Sequence, residues 1–298
     1  MKNLPKSEII AYVLLLALGI LGPILAPNYT FQFAVLWIMV LFAQTWDTMG
    51  GQMGYNSLGN IFFFGIGMYT CAVVQVGFVY DVGEYTSHTG SFKAVFTEDQ
   101  YYIGLALGLV AAGVISAIIA ASIGWMLFGL RGPYFAIGTL GIAITAGELF
   151  GAWDWVGGGM PLPVYPGSGD GKGQFFYILC FFSALATFVF LRWLYTTRFG
   201  LAINAIRDDE DKAEAMGIHT LRHKTVAWSI SAFFLGISGG LFGNMIGFIE
   251  PLEVAFPTIT FGIFMVAMSL LGGKGTIWGP VLGAITVSYT HLRAHETE

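Results

Sequence analysis

Charge is what this 298-residue sequence has least of. Only 10% of its residues are Asp, Glu, Lys or Arg, against about 25% in a soluble domain. So few charges do not coat a water-facing surface, which excludes an ordinary soluble globular protein. Basic charge is scarcer still, with 13 Lys and Arg against 18 Asp and Glu and a formal net charge of −5. A nucleic-acid binder shows the opposite balance, so no nucleic-acid partner is expected. Cys71 and Cys180 are the two cysteines, and both lie inside apolar runs. That leaves neither a disulfide framework nor a CxxC metal site. What fills the chain instead is apolar: 56% hydrophobic residues, 16% aromatic ones, and 41 glycines. The aromatic content excludes a disordered chain, and glycine at this density suits helices packed closely in a bilayer. The composition describes one polytopic, all-α membrane domain.

A helix needs about 20 apolar residues to cross the hydrocarbon core. Seven runs approach that length: Ile9–Ala26, Phe31–Met49, Ile61–Val79, Ile103–Leu127, Pro133–Phe150, Phe175–Leu194 and Val226–Phe248. Pro257–Leu271 is shorter and Ile277–Val287 shorter again, so about 8–9 spans are expected. Continuous apolarity without two-residue alternation excludes a β-barrel. Lys2 and Lys6 ahead of the first run allow a signal peptide, but the apolar stretch is long and no A-x-A site follows. The run is read as a retained span.

Lysine and arginine collect on the cytoplasmic side. With the N-terminus cytoplasmic and the spans alternating, the inside segments hold Lys2, Lys6, Arg131, Arg192, Arg198, Arg207, Lys212, Arg222, Lys224 and Lys274. The outside segments hold Lys93 and Lys172, and carry Asp81, Glu84, Glu98, Asp99, Asp154, Asp170, Glu250 and Glu253. Trp46, Trp125, Trp153, Trp155 and Trp193 fall near the span ends, as in an aromatic belt. Asp47 and Glu148 also sit near the ends of their runs, where a carboxylate reaches the interface at little cost.

The ninth run breaks off after 11 residues, roughly half a membrane thickness at about 1.5 Å per residue. Ser288–Glu298, SYTHLRAHETE, follows it, polar and unrelated to what precedes. It resembles a translated sequencing-adapter read-through. The expected division is therefore a transmembrane domain over 1–287 and a non-native tail over 288–298, with the native chain continuing past Val287.

Catalytic and ligand motifs are missing. Gly273-Lys274-Gly275 and Gly171-Lys172-Gly173 contain a GK pair, but neither has the Ser/Thr or the upstream glycine of a phosphate loop. His219 and His223 have i,i+4 spacing without the glutamate of a zinc-protease motif or a nearby third ligand. No metal, cofactor or enzymatic activity is expected in this chain.

Three segments do carry a signal. Arg192–Lys224 holds 11 of the 31 charged residues. Ala202, Ala205, Ile206, Ala213 and Met216 form a modest apolar stripe there. Asp208 is placed to open a helix and to pair with Lys212, and Gly217 to stop one. A solvated loop with a short helix and a docking element for a cytoplasmic partner both fit. Gly50–Gly67 interleaves Gln52, Asn56, Ser57 and Asn60 with glycines where a span begins, and Leu271–Gly283 is rich in glycine. Such interrupted segments in both halves of a transporter flank a substrate path; tight helix crossings use glycine as well. The Gly236, Gly240 pair and the Gly239, Gly243, Gly247 ladder read as helix-packing patterns.

Four blocks together resemble the permease subunit of branched-chain amino acid ABC transporters, the LivM type. They are GYNSLGNIFFFGIGMYT at Gly54–Thr70, LRGPYFAIGTLGIA at Leu130–Ala143, AIRDDEDKAEAMGIHTLRHKTVAWSISAFFLGISGGLFG within Gly200–Gly247, and LLGGKGTIWGPVLGA at Leu270–Ala284. They occur in the family's order across most of the chain. The resemblance implies a multi-pass protein of a prokaryotic cell membrane. Its implied partners, besides membrane lipid, are a second homologous permease, two cytoplasmic ATP-binding subunits and an extracytoplasmic substrate-binding protein. It also implies that 196–224 is the cytoplasmic coupling segment, with Arg207, Asp208, Glu210, Ala213, Glu214 and Gly217 meeting the ATPases. The path candidates are Gln52, Asn56, Ser57, Asn60, Gly272, Gly273 and Gly279. Many relatives have histidine where this chain has Asn60, so urea, short amides and aromatic acids stand beside branched-chain amino acids as substrates. A sugar-type permease, an ion-coupled secondary carrier and a structural membrane subunit are the rival readings.

Overall fold

The computed structural model describes residues 6–87, 96–164 and 172–295. Lys2, Lys93, Asp170, Gly171 and residues 296–298 lie outside the described residues, as does the side chain of Lys172. The helices, in chain order, are α1 (Lys6–Leu25), α2 (Thr30–Asp47), α3 (Asn60–Gly77), α4 (Val82–Ser87), α5 (Glu98–Leu127) and α6 (Pro133–Gly151). They continue with α7 (Lys172–Tyr195), α8 (Arg198–Asp208), α9 (Glu210–Ala215), α10 (Thr220–Ile246), α11 (Phe264–Gly272) and α12 (Gly279–His295). Two-residue strands, β1 (Leu162–Pro163) and β2 (Phe248–Ile249), pair antiparallel. The all-α membrane bundle read from composition is the observed architecture.

The expected 8–9 spans are met in part by helix length. Among the described residues six helices are long and apolar enough to cross a membrane, and the apolar parts of α1 and α11 are shorter. The eighth run is divided: a π-helical turn at Thr258–Ile263 leads into the nine residues of α11. The ninth begins at Gly279 and stays helical to His295, so Val287 marks no break in the backbone.

The centre of the bundle is α3, α5 and α10, and glycine is why they meet so closely. An added Cβ at Gly67 would land on the backbone of Gly236, one at Gly236 on the Ala112 carbonyl, and one at Gly239 on the Phe64 carbonyl. With no hydrophobic drive between helices in lipid, such backbone approach and interhelical hydrogen bonds hold them. Asn244 of α10 supplies the bonds between helices, donating to Gln75 Oε1 of α3 (2.9 Å), while Tyr101 of α5 donates to its Oδ1 (3.0 Å). The Gly236–Gly243 pattern is thus a packing device as expected. Gly247 is not part of it: at φ +89° it ends α10 in the left-handed region, which favours glycine.

α2 packs on α7 through Trp37, which stands edge-on to Phe181 and donates to the Tyr177 hydroxyl at 3.2 Å. Ser269 of α11 donates to the Ala43 carbonyl of α2 at 2.9 Å. The span in α6 is only 28% buried, against 78% for α3, and is the least covered of the six membrane-length helices among the described residues. α6 also carries Glu148, exposed near its end.

The chain's two kinds of connection sort to opposite ends. One end gathers 48–59, Arg131, α8, α9 and 273–278, joined by bonds described below. Arg192 at the end of α7 adds α1 to it, by an ion pair with Glu8 (2.7 Å) and a bond to Tyr12. The other end gathers 78–86, 153–164 and 247–250, through Tyr85 to the Pro163 carbonyl (2.7 Å), Thr86 to the Trp155 carbonyl (3.2 Å) and the β1–β2 pair. Arg131, Arg192, Arg207, Lys212, Lys224 and Lys274 belong to the first end, and Asp81, Glu84, Asp154 and Glu250 to the second. Trp125, Trp153, Trp155 and Trp193 are exposed on the bundle surface, as an aromatic belt requires. Trp46 departs from that reading. It is buried and donates to the Ser57 carbonyl at 2.7 Å, because the chain folds back over it.

Candidate functional site

The glycine-broken segments from the two halves of the chain meet at the basic end. α2 runs past Asp47 into a π-helical turn, Thr48–Gln52, and α3 restarts only at Asn60. α11 stops at Gly273 (φ +112°) and α12 starts at Gly279. Asp47 Oδ1 accepts the Gly275 amide at 2.7 Å, and Gln52 Nε2 donates to the Gly275 carbonyl at 2.9 Å. Asp47 therefore does not reach for the interface: it is buried and clamps one broken segment to the other.

The path candidates divide into two kinds. Gln52 belongs to the clamp, and Asn56 is exposed at the tip of the α2–α3 connection. Ser57 is buried, its carbonyl taken by Trp46 and its hydroxyl accepting the Gly59 amide at 3.3 Å. The Leu58 amide donates to Thr139 Oγ1 at 3.1 Å. Thr139 lies six residues into α6, so the connection dips roughly 9 Å into the bundle, at about 1.5 Å per residue. Asn60, at the bottom of this dip, is fully buried, and neither its amide oxygen nor its nitrogen has a hydrogen-bond partner. Leaving such a group unpaired costs about 1–3 kcal/mol. Gly272, Gly273 and Gly279 serve the turn instead: a Cβ at Gly272 would strike the Gly279 carbonyl, and one at Gly279 the Gly273 carbonyl. Gln44, which the sequence reading did not single out, is a second buried amide with both polar atoms unpartnered. An amide inside an apolar run is the signal that marks it.

The charged segment folds as α8 and α9. Asp209, not Asp208, opens α9: its carboxylate accepts the Lys212 amide (3.0 Å) and pairs with Lys212 Nζ (2.8 Å). These bonds to Lys212 hold the Asp209 carboxyl below the usual carboxylate range. Asp208 pairs with Arg207 at 3.1 Å, so the expected Asp208–Lys212 pair does not form. Gly217 at φ +88° follows α9 as the expected stop, its amide bonded to the Glu214 carbonyl at 2.9 Å. Arg207, Asp208, Glu214 and Gly217 face outward, and Met216, 83% exposed, projects beside them. Ala213 is buried, and Glu210 turns inward. These two seat α9 on the bundle rather than offer it a face. The cause is the short helix: six residues make under two turns, so one side must be its base.

Glu210 meets Lys224 of α10 at 2.7 Å, accepts the Tyr55 hydroxyl, and lies 3.8 Å from Arg131. Lys224 is itself buried. It donates further to Tyr55 Oη (3.0 Å) and the Phe128 carbonyl (3.3 Å), over the Tyr55 ring at 4.7 Å. Burial pushes the Glu210 carboxyl up, but the Lys224 and Tyr55 bonds and the Lys224 and Arg131 charges outweigh it and hold it below its ordinary value. Burial, then the Glu210 bond and charge, push the Tyr55 phenol well above its ordinary value. The sequence carried a trace of this cluster: Lys224 occupies the stripe of α10 shared by Thr220, Ala227, Trp228 and Ser231, all buried. Arg207 makes a second tie, donating to the Gly51 carbonyl at 3.4 Å.

At the acidic end a cavity of about 290 Å³ opens between α6 and the π-helical turn Pro251–Ala255. Ala143, Ile144, Gly147, Leu252, Phe256 and Pro257 make its apolar wall, and Glu253 and Thr258 are its polar groups. Of the i,i+4 pair of histidines, His223 Nδ1 meets the His219 carbonyl at 2.9 Å and its ring stacks on Phe199. Among the described residues no three His, Cys, Asp or Glu side chains gather as a metal site.

Apolar helices surround polar, glycine-broken connections with a charged short helix seated on them, an arrangement of the kind found in multi-pass membrane transporters. The chain belongs to the family described as branched-chain amino acid transport system / permease component, whose model matches residues 28–292. It is 27% identical to the high-affinity branched-chain amino acid transport system permease protein LivM of Escherichia coli K12, over 85% of this chain and 64% of that protein. A probable LivM of Methanocaldococcus jannaschii is 32% identical over 40% of this chain and 34% of its own. The autoinducer 2 import system permease protein LsrC of Escherichia coli O9:H4 is 35% identical over 32% of this chain and 29% of its own. The chain thus spans 64% of the length of the Escherichia coli LivM it matches. No solved structure matches it.

Proposed function

We propose that this chain is the membrane-spanning subunit of an ATP-driven importer and forms part of the path for branched-chain amino acids or related small polar solutes. In this reading the basic end is cytoplasmic, as the charge bias of the loops favours, and the N-terminus lies on that side. The membrane is the cell membrane of a prokaryote. Two ATP-binding subunits engage α8 and α9 through Arg207, Asp208, Glu214, Met216 and Gly217. A second homologous permease completes the path, and a binding protein delivers solute at the acidic end. The observation that carries the reading is the seat of α9: the charged outer segment is bonded, through Tyr55 and Gly51, to the connection that holds the unpaired Asn60 amide.

The reaction is a change of packing rather than of bonds. Closure of the ATPases displaces α8 and α9, and the bundle switches between outward-open and inward-open states. The cavity at the acidic end supports solute entry there, since an apolar wall with one carboxylate and one hydroxyl suits an amphiphilic solute bearing an ammonium group. The partial likeness to LsrC supports keeping other small polar solutes in view.

The test is uptake by the complex in proteoliposomes, with leucine, urea and a short amide as labelled solutes. Wild-type uptake of one of these should need ATP and the binding protein. Glu214→Lys should abolish it while the chain still inserts. Uptake by this chain alone, without ATP, would replace this reading with a secondary carrier.

A further inference from the structure

We propose that Tyr55 and Lys224 act with Glu210 as the joint that transmits movement of α9 to the α2–α3 connection. This rests on the importer reading above, and it assigns positioning roles to two residues outside the outward-facing segment.

The geometry points to a closed ring of bonds. Lys224 spends its donors on Glu210 Oε1 (2.7 Å), Tyr55 Oη (3.0 Å) and the Phe128 carbonyl (3.3 Å). Tyr55 in turn donates to the other oxygen of Glu210. Three chain segments therefore share one buried ion pair: the start of α10, the first residue of α9, and the connection ahead of α3. The Lys224 side chain is 3% exposed and that of Glu210 13%, so water competes weakly for either. Aromatic rings close the sides, with Phe128 5.8 Å and Phe135 5.3 Å from the Tyr55 ring.

A simple hydrophobic seat would let α9 slide, since apolar contact is non-directional. An ion pair with two oriented hydrogen bonds does not, because it weakens steeply with distance and angle. When α9 moves, Glu210 must carry the Tyr55 hydroxyl or break its bond. Tyr55 sits between Gly54, at φ +82°, and the exposed Asn56, and its amide donates to the Met49 carbonyl at 2.8 Å, so its displacement is passed to the π-helical turn as well. Five residues later the same connection reaches Asn60. Lys224, fixed in a helix packed through the whole bundle, is the fulcrum.

The experiment uses the complete transporter in proteoliposomes and compares wild type with Tyr55→Phe. That change keeps the ring and its packing and removes one oxygen. Solute moved per ATP hydrolysed should fall at least about tenfold, the factor that either one of the two lost hydrogen bonds to charged groups is worth, while ATP hydrolysis stays near wild type. Spin labels at Asn56→Cys and Ala215→Cys supply a readout that a merely stabilising role would not move. Cys71 and Cys180 are buried and do not compete for label. On adding ATP the distance between the labels should stay fixed in the wild-type background and change in the Tyr55→Phe background. Lys224→Met should give the same pair of results. Equal transport per ATP in wild type and Tyr55→Phe, or a label distance that behaves identically in both, overturns the joint and leaves the importer reading standing. A wild-type complex that moves no solute on ATP overturns the importer reading, and the joint's transmitting role with it.

Discussion

Lys224→Met tests the energetics of the buried pair directly. Methionine keeps most of the lysine stem and its packing but removes the charge and three hydrogen bonds, to Glu210, Tyr55 and Phe128. Glu210 then remains mostly buried, with the Tyr55 hydroxyl and an exposed Arg131 at 3.8 Å as its partners. Removing one member of a buried pair typically costs about 3–5 kcal/mol, because the other is left uncompensated. Glu210 keeps a hydrogen bond and some solvent, so the lower figure applies, about 3 kcal/mol. On the scale of large soluble domains that lowers the melting temperature by about 6 °C. Adding Glu210→Gln removes the stranded carboxylate while leaving Tyr55 an acceptor, so the double variant should recover about 2 kcal/mol of the loss, within the usual range for coupled neighbours. Thermal unfolding of the four members of the cycle, in one detergent, measures this. A double variant no more stable than Lys224→Met alone would refute the claim that the pair is buried and coupled.

The same pair sets an acid limit. The folded-state Glu210 carboxyl lies below its ordinary value, so its contribution is complete above the unfolded value, about 4.3. It is lost as pH falls through the lowered folded value. Acid unfolding of wild type should therefore begin below about pH 4.3 for this group, whereas Lys224→Met removes the main cause that lowers the Glu210 value, so the stability gap between wild type and variant should narrow as pH falls below about 4.3, followed by fluorescence. Asn60→Leu replaces an unpaired buried amide by an apolar side chain of similar size and should raise stability by about 1 kcal/mol. In the proposed path it should also lower uptake; a stability change with full uptake would make Asn60 a packing residue. Gly239→Leu drives a side chain into the Phe64 carbonyl, a backbone atom that cannot step aside. It should cost about 3 kcal/mol or more and fail to give a monodisperse peak in size-exclusion chromatography. Asp47→Ala frees the Gly275 amide, and hydrogen exchange at residues 273–276 should accelerate while α3 stays protected.

The broad architecture was open to reading because it follows from bulk quantities. Apolar run length fixes where helices cross lipid, since every backbone polar group there must bond within its own helix. The glycine pattern in α10 was equally plain, because only small residues at helical spacing let two backbones meet. Run length was a poorer guide where helices change character: Pro257–Leu271 reads as one segment, yet a π-helical turn divides it. Side-chain direction was the other weakness. Trp46 and Asp47 sit at a span end, where sequence position suggests an interface. The chain folds back over both, so one is a buried donor to Ser57 and the other the clamp on Gly275.

The sequence by itself determined an all-α membrane protein, its glycine-packed centre, and a charged segment distinct from the spans. All three depend on composition and local period, which involve neighbours a few residues apart. The tertiary structure alone decided that Glu210 faces inward while Glu214 faces out, and that Tyr55, Arg131 and Lys224 converge on it. Residues 55 and 224 are 169 apart in the chain. No local rule brings them together. The closure of the bundle does, by placing the start of α10 under the dip in the α2–α3 connection.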